Sequence, residues 1–163
     1  MIFIGIGSNL PSEKFGAPQA VCEAAVNHLA QNDIEVLRRS SWYETAPIPA
    51  SQQPNYVNGV VSIGTNLDSL KLLDLLLDVE SRMGRERYFS NAARIIDLDL
   101  LAYNDEIVDT ERLCLPHPRL EDRAFVVQPI LEIAPDWQHP HSRRSIQEIL
   151  ENLSEQEITR IPT

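Results

Sequence analysis

The clearest pattern along the chain is a series of short segments in which apolar and polar residues alternate. Alternation with a period of two is typical of a strand that buries one face. The pattern predicts four main strands, at Ile2 to Ile6, 34–43, 56–63 and 95–103, and two short strands near Ile107 and over 113–115. The proline-marked stretch 45–54 cannot continue either neighbouring strand and is predicted to be a loop.

Segments with helical spacing lie between these strands. A helix is predicted over 18–30, because Pro18 suits a first helical turn. A leucine-rich helix is predicted over 68–83, with an Asp or Ser cap at its start and Gly84 at its end. Further helices are predicted over 125–134, with Pro129 near the start, and over 145–153, where the spacing of Ser145 and Glu148 matches a capping box.

The order of these elements predicts an α+β fold. Strands and helices follow one another as β-α-β-β-α-β, which is the ferredoxin-like order, with an antiparallel sheet and helices packed on one face. The last helices form a C-terminal helical appendage. Residues 1–163 contain no repeat or linker, so a single domain is expected, and it is long enough to bury a real core.

Composition and charge narrow the range of functions. Hydrophobic residues make up 43% and charged residues 23% of the chain, as in ordinary globular proteins. A net charge of −10 does not suit binding to nucleic acid or to an anionic membrane, so neither partner is expected. No apolar stretch approaches membrane-spanning length and no leader is recognisable, which makes the cytoplasm the expected location. Cys22 and Cys114 are expected to be reduced packing residues.

Two carboxylates interrupt the apolar pattern of the strand over 95–103. Asp97 and Asp99 lie two positions apart, so their side chains share one face of the strand, roughly 7 Å apart. A hard cation would offset the repulsion between them, since Mg²⁺ is commonly bound by one or two carboxylates together with substrate phosphates. On spacing alone, a strand with a solvated polar face explains the pair about equally well.

Arginines favour the cation interpretation. The chain has twelve arginines and two lysines, and seven of the arginines fall between residues 82 and 123. The planar guanidinium binds phosphate oxygens in bidentate fashion and stays charged when partly desolvated. An Asp-x-Asp cation site among arginines is the equipment that phosphoryl transfer requires.

These residues belong to a set of segments that resembles a known family, the 6-hydroxymethyl-7,8-dihydropterin pyrophosphokinases, along nearly the whole chain. The Arg-x-x-Asp-aliphatic-Asp element is fairly specific for this family when taken alone. It is very specific when it occurs in this order with the other matching segments. The matching segments are Gly5-Ile6-Gly7-Ser8-Asn9, Tyr43-Glu44-Thr45-Ala46-Pro47, Gln53-Pro54-Asn55-Tyr56-Val57-Asn58, Glu80, Gly84-Arg85-Glu86-Arg87, Arg94-Ile95-Ile96-Asp97-Leu98-Asp99-Leu100, Leu115-Pro116-His117-Pro118 and Arg123-Ala124-Phe125.

The resemblance implies an enzyme of folate biosynthesis. It would transfer the terminal two phosphates of ATP to the hydroxymethyl group of the pterin and release AMP. ATP is then the co-substrate, two Mg²⁺ ions are the cofactors, and the partners are these small molecules alone, bound by a monomer.

The same resemblance implies roles for individual residues. Asp97 and Asp99 match the pair that holds both Mg²⁺ ions, and Arg85 and Arg94 match arginines that grip the transferred group. ATP contacts are implied for Arg87, Leu100, Arg112, His117 and Arg123. Pterin contacts are implied for Thr45, Tyr56, Asn58 and Phe125.

The residues themselves agree with part of this assignment. Tyr56 and Asn58 share a strand face, so one can stack on a flat ring while the other hydrogen-bonds its edge. Taken alone, Tyr56 suits ordinary packing better. Glu80 lies near the apolar face of its helix, and both a solvated position and a buried one beside an arginine stay open. His139 is expected on a solvated face.

Three departures from the family pattern keep two other functions open. Asn91-Ala92-Ala93 stands in place of Trp-Gly-Pro, Leu77 in place of a frequent glutamine, and Pro118 in place of a frequent tyrosine. A non-catalytic regulator of the same fold would bind nucleotide or pterin without turnover. An unrelated metal-dependent phosphohydrolase would share the aspartates and arginines but not the pterin-contact residues.

Overall fold

The computed structural model describes residues 1–46, 54–84 and 95–162. Its main sheet has six strands, and every pairing within it is antiparallel. The strands are β1 (Ile2–Ser8), β2 (Ile34–Arg39), β3 (Tyr43–Thr45), β4 (Tyr56–Thr65), β5 (Asp97–Tyr103) and β8 (Thr159–Arg160), while β6 (Val108–Asp109) and β7 (Cys114–Leu115) form a separate pair. The helices are α1 (Pro18–Ala30), α2 (Ser69–Arg82), α3 (Ala124–Ile133) and α4 (Ile146–Glu151), with a short 3-10 helix at Leu120–Asp122.

Strand β1 lies inside the sheet, with the edge strand β5 on one side and β4 on the other. Strands β2 and β3 both pair with the far side of β4, and β8 adds to β3. This arrangement confirms the predicted α+β class with an antiparallel sheet. The ferredoxin-like assignment and the single domain over 1–163 stay predictions.

Helices cover both faces of this sheet. One core packs α1 and α2 on Ile2, Ile4 and Ile6 of β1, and the other packs α3 and α4 on Phe3. The expectation that the helices of the β-α-β-β-α-β order lie on one face is confirmed, since α1 and α2 share it, while the C-terminal helices α3 and α4 cover the other face. Apolar residues of β1 face both sides of the sheet, so helices must pack on each face to exclude water from it.

Several element boundaries differ from the predicted ones. The predicted strand over 34–43 is two strands, because the chain leaves the sheet at Ser40 and re-enters at Tyr43. Pro129 lies well inside α3 rather than near its start, and α4 ends at Glu151. The short strand β8 was not predicted, since two residues carry no recognisable alternation.

Other predictions hold. Asp68 caps α2, its side chain accepting a hydrogen bond of 2.8 Å from the Lys71 amide. Cys22 and Cys114 are both free thiols, and Cys22 is buried, which raises the pKa of its thiol to about 12. Within the described ranges, no helix combines the length and apolar character needed to cross a bilayer.

Candidate active site

A cavity of about 380 Å³ opens on the α3 side of the sheet, near the C-terminal end of β1. Its floor is formed by Gly5 and Gly7, which lie two residues apart on β1 and so face the same side. Neither position carries a side chain, which leaves the sheet surface open between the flanking strands.

The strand register brings polar side chains to both sides of this glycine floor. Gly7 pairs with Asp97 of β5 and with Asn58 of β4, so the aspartate and the asparagine flank it in one row. Gly5 pairs with Asp99 in the next row on the same face. Asp97 and Asp99 thus line the same cavity, as the alternation along β5 predicted.

Asn58 is buried and held by a defined contact. Its amide donates a hydrogen bond of 2.9 Å to the hydroxyl of Thr45, which is also buried. A Cβ at Gly7 would lie 2.9 Å from the Asn58 amide oxygen, closer than a side chain tolerates. Glycine at position 7 therefore leaves the room that the Asn58 amide needs beside the cavity floor.

Aromatic and basic side chains complete the same cavity. Tyr56 lines it from β4, and Phe125 lines it from the first turn of α3. The Arg123 guanidinium lies over the Phe125 ring, 5.4 Å from its centroid. The four residues predicted to contact pterin are thus brought together around one cavity.

A second cavity, of about 290 Å³, lies on the other side of the aspartate pair. Leu100, Arg112 and His117 line it, and all three were predicted to contact ATP. Asp97 and Asp99 line both cavities, so the pair lies where the two meet. Arg123, also predicted to contact ATP, lines the first cavity instead, and Arg112 forms an ion pair with Asp74.

Burial, together with the charges around the aspartate pair, shifts the pKa values of two neighbouring side chains. Burial lowers the pKa of His117 to about 4, helped by the positive charges of Arg123 and Arg119. His117 is therefore neutral at pH 7, and its Nδ1 accepts a hydrogen bond of 3.1 Å from the Arg119 amide. Burial also lowers the pKa of Arg123, while the charges of Asp99 and Asp97 oppose that change. The arginine nevertheless remains a cation.

Glu80 is buried, with 2% of its surface exposed, so the solvated position left open by the sequence is wrong. Its carboxylate accepts a hydrogen bond of 2.8 Å from the Leu98 amide. Leu98 lies between Asp97 and Asp99 on the edge strand of the sheet. Glu80 therefore ties α2 to the backbone that carries both aspartates.

The oxygen ligands where the two cavities meet suit a hard cation that takes its remaining ligands from outside the protein. Asp97 and Asp99 supply carboxylate oxygens, which Mg²⁺ prefers. Among the residues that the structure describes, no cluster of three or more His, Cys, Asp or Glu side chains could hold a metal ion. Two carboxylates fit an ion that also takes phosphate oxygens and water, rather than an all-protein cage.

Three predicted residues lie outside the described residues, namely Arg85, Arg87 and Arg94. Conversely, several cavity-lining residues were not predicted as site residues: Gly5, Gly7, Arg119, Asp122 and Gln156. The two glycines had a signal in the sequence, because glycines two apart in an apolar strand leave one face open. Gln156 had none, since it lies far along the chain from every motif.

The sequence over residues 3–135 matches the family model described as 7,8-dihydro-6-hydroxymethylpterin-pyrophosphokinase (HPPK). A 2-amino-4-hydroxy-6-hydroxymethyldihydropteridine pyrophosphokinase of Haemophilus influenzae is 39% identical over 142 residues, which cover 86% of each chain. The protein of the same name from Pseudomonas aeruginosa is 33% identical over 162 residues, covering 99% of this chain and 96% of its own.

Solved structures agree at the level of the fold. The structure titled "Crystal Structure Analysis of the HPPK-DHPS in complex with substrates" aligns with a TM-score of 0.71 over 94% of this chain, at 14% identity. A Plasmodium falciparum HPPK-DHPS structure with pteroate aligns with the same TM-score over 93% of this chain, at 12% identity. The alignments span only 43% and 44% of those longer chains.

Proposed function

Because the chain belongs to the 7,8-dihydro-6-hydroxymethylpterin-pyrophosphokinase family, we propose that it transfers pyrophosphate from ATP to 6-hydroxymethyl-7,8-dihydropterin. The products are the pterin diphosphate and AMP, and the reaction belongs to folate biosynthesis. The pterin hydroxymethyl oxygen forms the new bond to the β-phosphorus, and the bond from that phosphorus to the oxygen shared with the α-phosphate breaks.

One observation carries the assignment of the site. The first cavity offers two aromatic side chains and a buried amide, the second offers cationic and apolar side chains, and both share Asp97 and Asp99. A reaction that moves a charged group between two bound molecules needs two adjacent subsites with charge neutralisation where they meet. This layout supports pterin in the first cavity and ATP in the second.

The first cavity has the chemistry to recognise a flat heterocycle. Tyr56 and Phe125 would stack on the two faces of the pterin ring, and the cation of Arg123 reinforces the Phe125 side. Asn58 and Thr45 would read the ring edge, which suits their mutual hydrogen bond and burial. A buried amide already oriented by a neighbour loses little entropy on binding.

The second cavity suits a nucleotide. Leu100 would pack on the apolar part of ATP, and Arg112 and His117 would contact its polar part. His117 is neutral at pH 7, so it would serve as a hydrogen-bond donor through Nε2 rather than as a cation. Arg85, Arg87 and Arg94, which lie outside the described residues, are proposed to bind the transferred phosphates.

Asp97 and Asp99 are proposed to hold two Mg²⁺ ions together with the phosphates of ATP. When bound, these ions neutralise phosphate charge and orient the β-phosphorus toward its acceptor. The aspartates' own contribution is to fix that position relative to the glycine floor on which the pterin would lie. We propose that the working unit is a monomer, because one chain lines both cavities.

The direct test is product analysis with the purified protein, ATP and Mg²⁺, with and without the hydroxymethyl pterin. We expect AMP and pterin diphosphate in equal amounts, and only when the pterin is present. Release of phosphate without pterin would indicate a phosphohydrolase. Binding of pterin and nucleotide without AMP release would indicate a non-catalytic regulator, and either result would contradict the proposal.

A further inference from the structure

The segment after α4 runs beside the first cavity, beyond the residues matched by the family model. Gln156 from this segment lines the cavity together with Arg123 and Phe125. It is the only residue after Val126 among the described residues that line this cavity. The C-terminal segment therefore reaches the site through one side chain.

Both polar atoms of the Gln156 side chain form hydrogen bonds with the backbone at the start of α3. Its Oε1 accepts a hydrogen bond of 2.8 Å from the Ala124 amide, and its Nε2 donates one of 2.7 Å to the Asp122 carbonyl. These two backbone groups flank Arg123. Gln156 therefore fixes the turn that carries Arg123 and Phe125.

The start of α3 needs such a partner. The residue at its N-cap position is Arg123, whose side chain makes no capping hydrogen bond. The first amides of a helix have no partner within it and are usually satisfied by a nearby Ser, Thr, Asp or Asn. Here Gln156, 32 residues away in sequence, satisfies the Ala124 amide.

The same segment also holds the opposite wall of the cavity. Just after Gln156, Thr159 and Arg160 pair with Glu44 and Tyr43 of β3, the strand that carries Thr45. The next residue, Ile161, donates its amide to the Trp42 carbonyl at 2.8 Å. One short stretch of chain thus spans from the α3 wall to the β3 wall.

We propose that Gln156 is a positioning residue for pterin binding, setting the separation between the Phe125 wall and the wall formed by Thr45 and Asn58. This inference rests on the proposed function of the cavity. Gln156 acts through Phe125 and Arg123 rather than by touching substrate, because its amide is already engaged at both ends. A ring stacked on Phe125 can present its edge to Asn58 and Thr45 only when these two walls are held at the right separation.

The test compares Gln156→Ala with Asn152→Ala in the full chain. Asn152 is a matched control, since its side-chain amide also donates to a backbone carbonyl, that of Glu148 in α4, but lies exposed and away from the cavity. In Gln156→Ala we expect the pterin KM to rise on the order of tenfold, with a smaller change in kcat. Asn152→Ala should leave both at the wild-type values.

Gln156→Glu provides a second variant that keeps an acceptor for the Ala124 amide but loses the donor to Asp122. Its pterin KM should lie between those of the wild type and Gln156→Ala. Calorimetry with pterin and a non-hydrolysable ATP analogue should give the same ranking of affinities. Wild-type pterin affinity in both Gln156 variants would overturn the positioning role while leaving the proposed function intact. No pterin binding by the wild type would overturn the proposed function, and this inference with it.

Discussion

Asp97 and Asp99 illustrate what can be read from a sequence at the scale of single residues. Their spacing predicted a shared face, and both side chains line the same two cavities. Spacing says nothing about the strand beside them, so it could not indicate that Gly5 and Gly7 lie opposite the pair. His139, expected on a solvated face, is 5% exposed, because a loop around it donates two backbone amides to its Nδ1.

Gly7 offers a sharp test of the cavity floor. In Gly7→Ala the added methyl would lie 2.9 Å from the Asn58 amide oxygen, so the amide must move away from its bond with Thr45. We expect the pterin affinity to fall roughly tenfold, because the oriented amide is lost. Calorimetric titration with pterin would measure it.

Gly64→Ala is the matched control, since it lies on β4 where the nearest side-chain atom to an added Cβ is 3.8 Å away. It should bind pterin like the wild type. Equal affinity in Gly7→Ala would mean that Asn58 does not contact the ring.

His117 makes the stability of the fold depend on pH. Its pKa is about 4 in the folded protein against an ordinary value of 6.5, so between these values the unfolded chain binds a proton that the folded chain does not. The stabilisation from neutral His117 is complete above pH 6.5 and is lost as the pH falls toward 4. His117→Asn keeps an acceptor for the Arg119 amide. The full pKa difference corresponds to about 2 kcal/mol between pH 7.5 and 5, and solvent screening of this partly exposed ring reduces it, so the loss of unfolding free energy should shrink by about 1 kcal/mol.

Equilibrium denaturation at the two pH values measures this difference, with His28→Asn as the control for losing a histidine elsewhere. A pH dependence in His117→Asn identical to that of the wild type would contradict the assignment of His117 as a partly buried, neutral group.

At the scale of elements, the long strands and helices could be predicted because their patterns are local. The limits of α1 match the prediction at both ends, since Pro18 and the apolar spacing act within a few residues. The placement of α3 could not be predicted, because it depends on which face of the sheet has apolar residues left to cover. Phe3, Val60 and Leu101 supply that face, and they come from three separate strands.

The link between α2 and β5 can be tested through Glu80. In Glu80→Ala the buried Leu98 amide loses its acceptor, so the free energy of unfolding should fall by about 1–3 kcal/mol. Turnover should fall as well, because Leu98 lies between the two aspartates. Denaturation and steady-state kinetics measure the two effects.

Glu80→Gln keeps an acceptor oxygen and should be affected less than Glu80→Ala. Glu35→Ala on exposed β2 should match the wild type in both measurements. Wild-type stability in Glu80→Ala would show that this hydrogen bond contributes nothing to the fold.

At the scale of the whole molecule, the sheet places two cavities on either side of one strand. An overall charge of −10 does not suit binding to nucleic acid or to an anionic membrane, yet Arg112, Arg119 and Arg123 concentrate positive charge at the cavities. Motifs in the sequence predicted several of the residues that line each cavity. The sequence could not indicate that Arg123 lines the first cavity, or that Gln156 hydrogen-bonds to the start of α3, because both depend on how α3 meets the C-terminal segment.

The most direct test of the account is the rate of pterin diphosphate formation in a single turnover by Asp97→Asn and Asp99→Asn. Each change keeps the side-chain shape and removes the charge at the junction of the two cavities. We expect the rate to fall roughly a hundredfold or more in each variant, with pterin affinity retained and with Asp136→Asn behaving as the wild type. A near-normal rate in either aspartate variant would contradict the claim that transfer takes place at this pair.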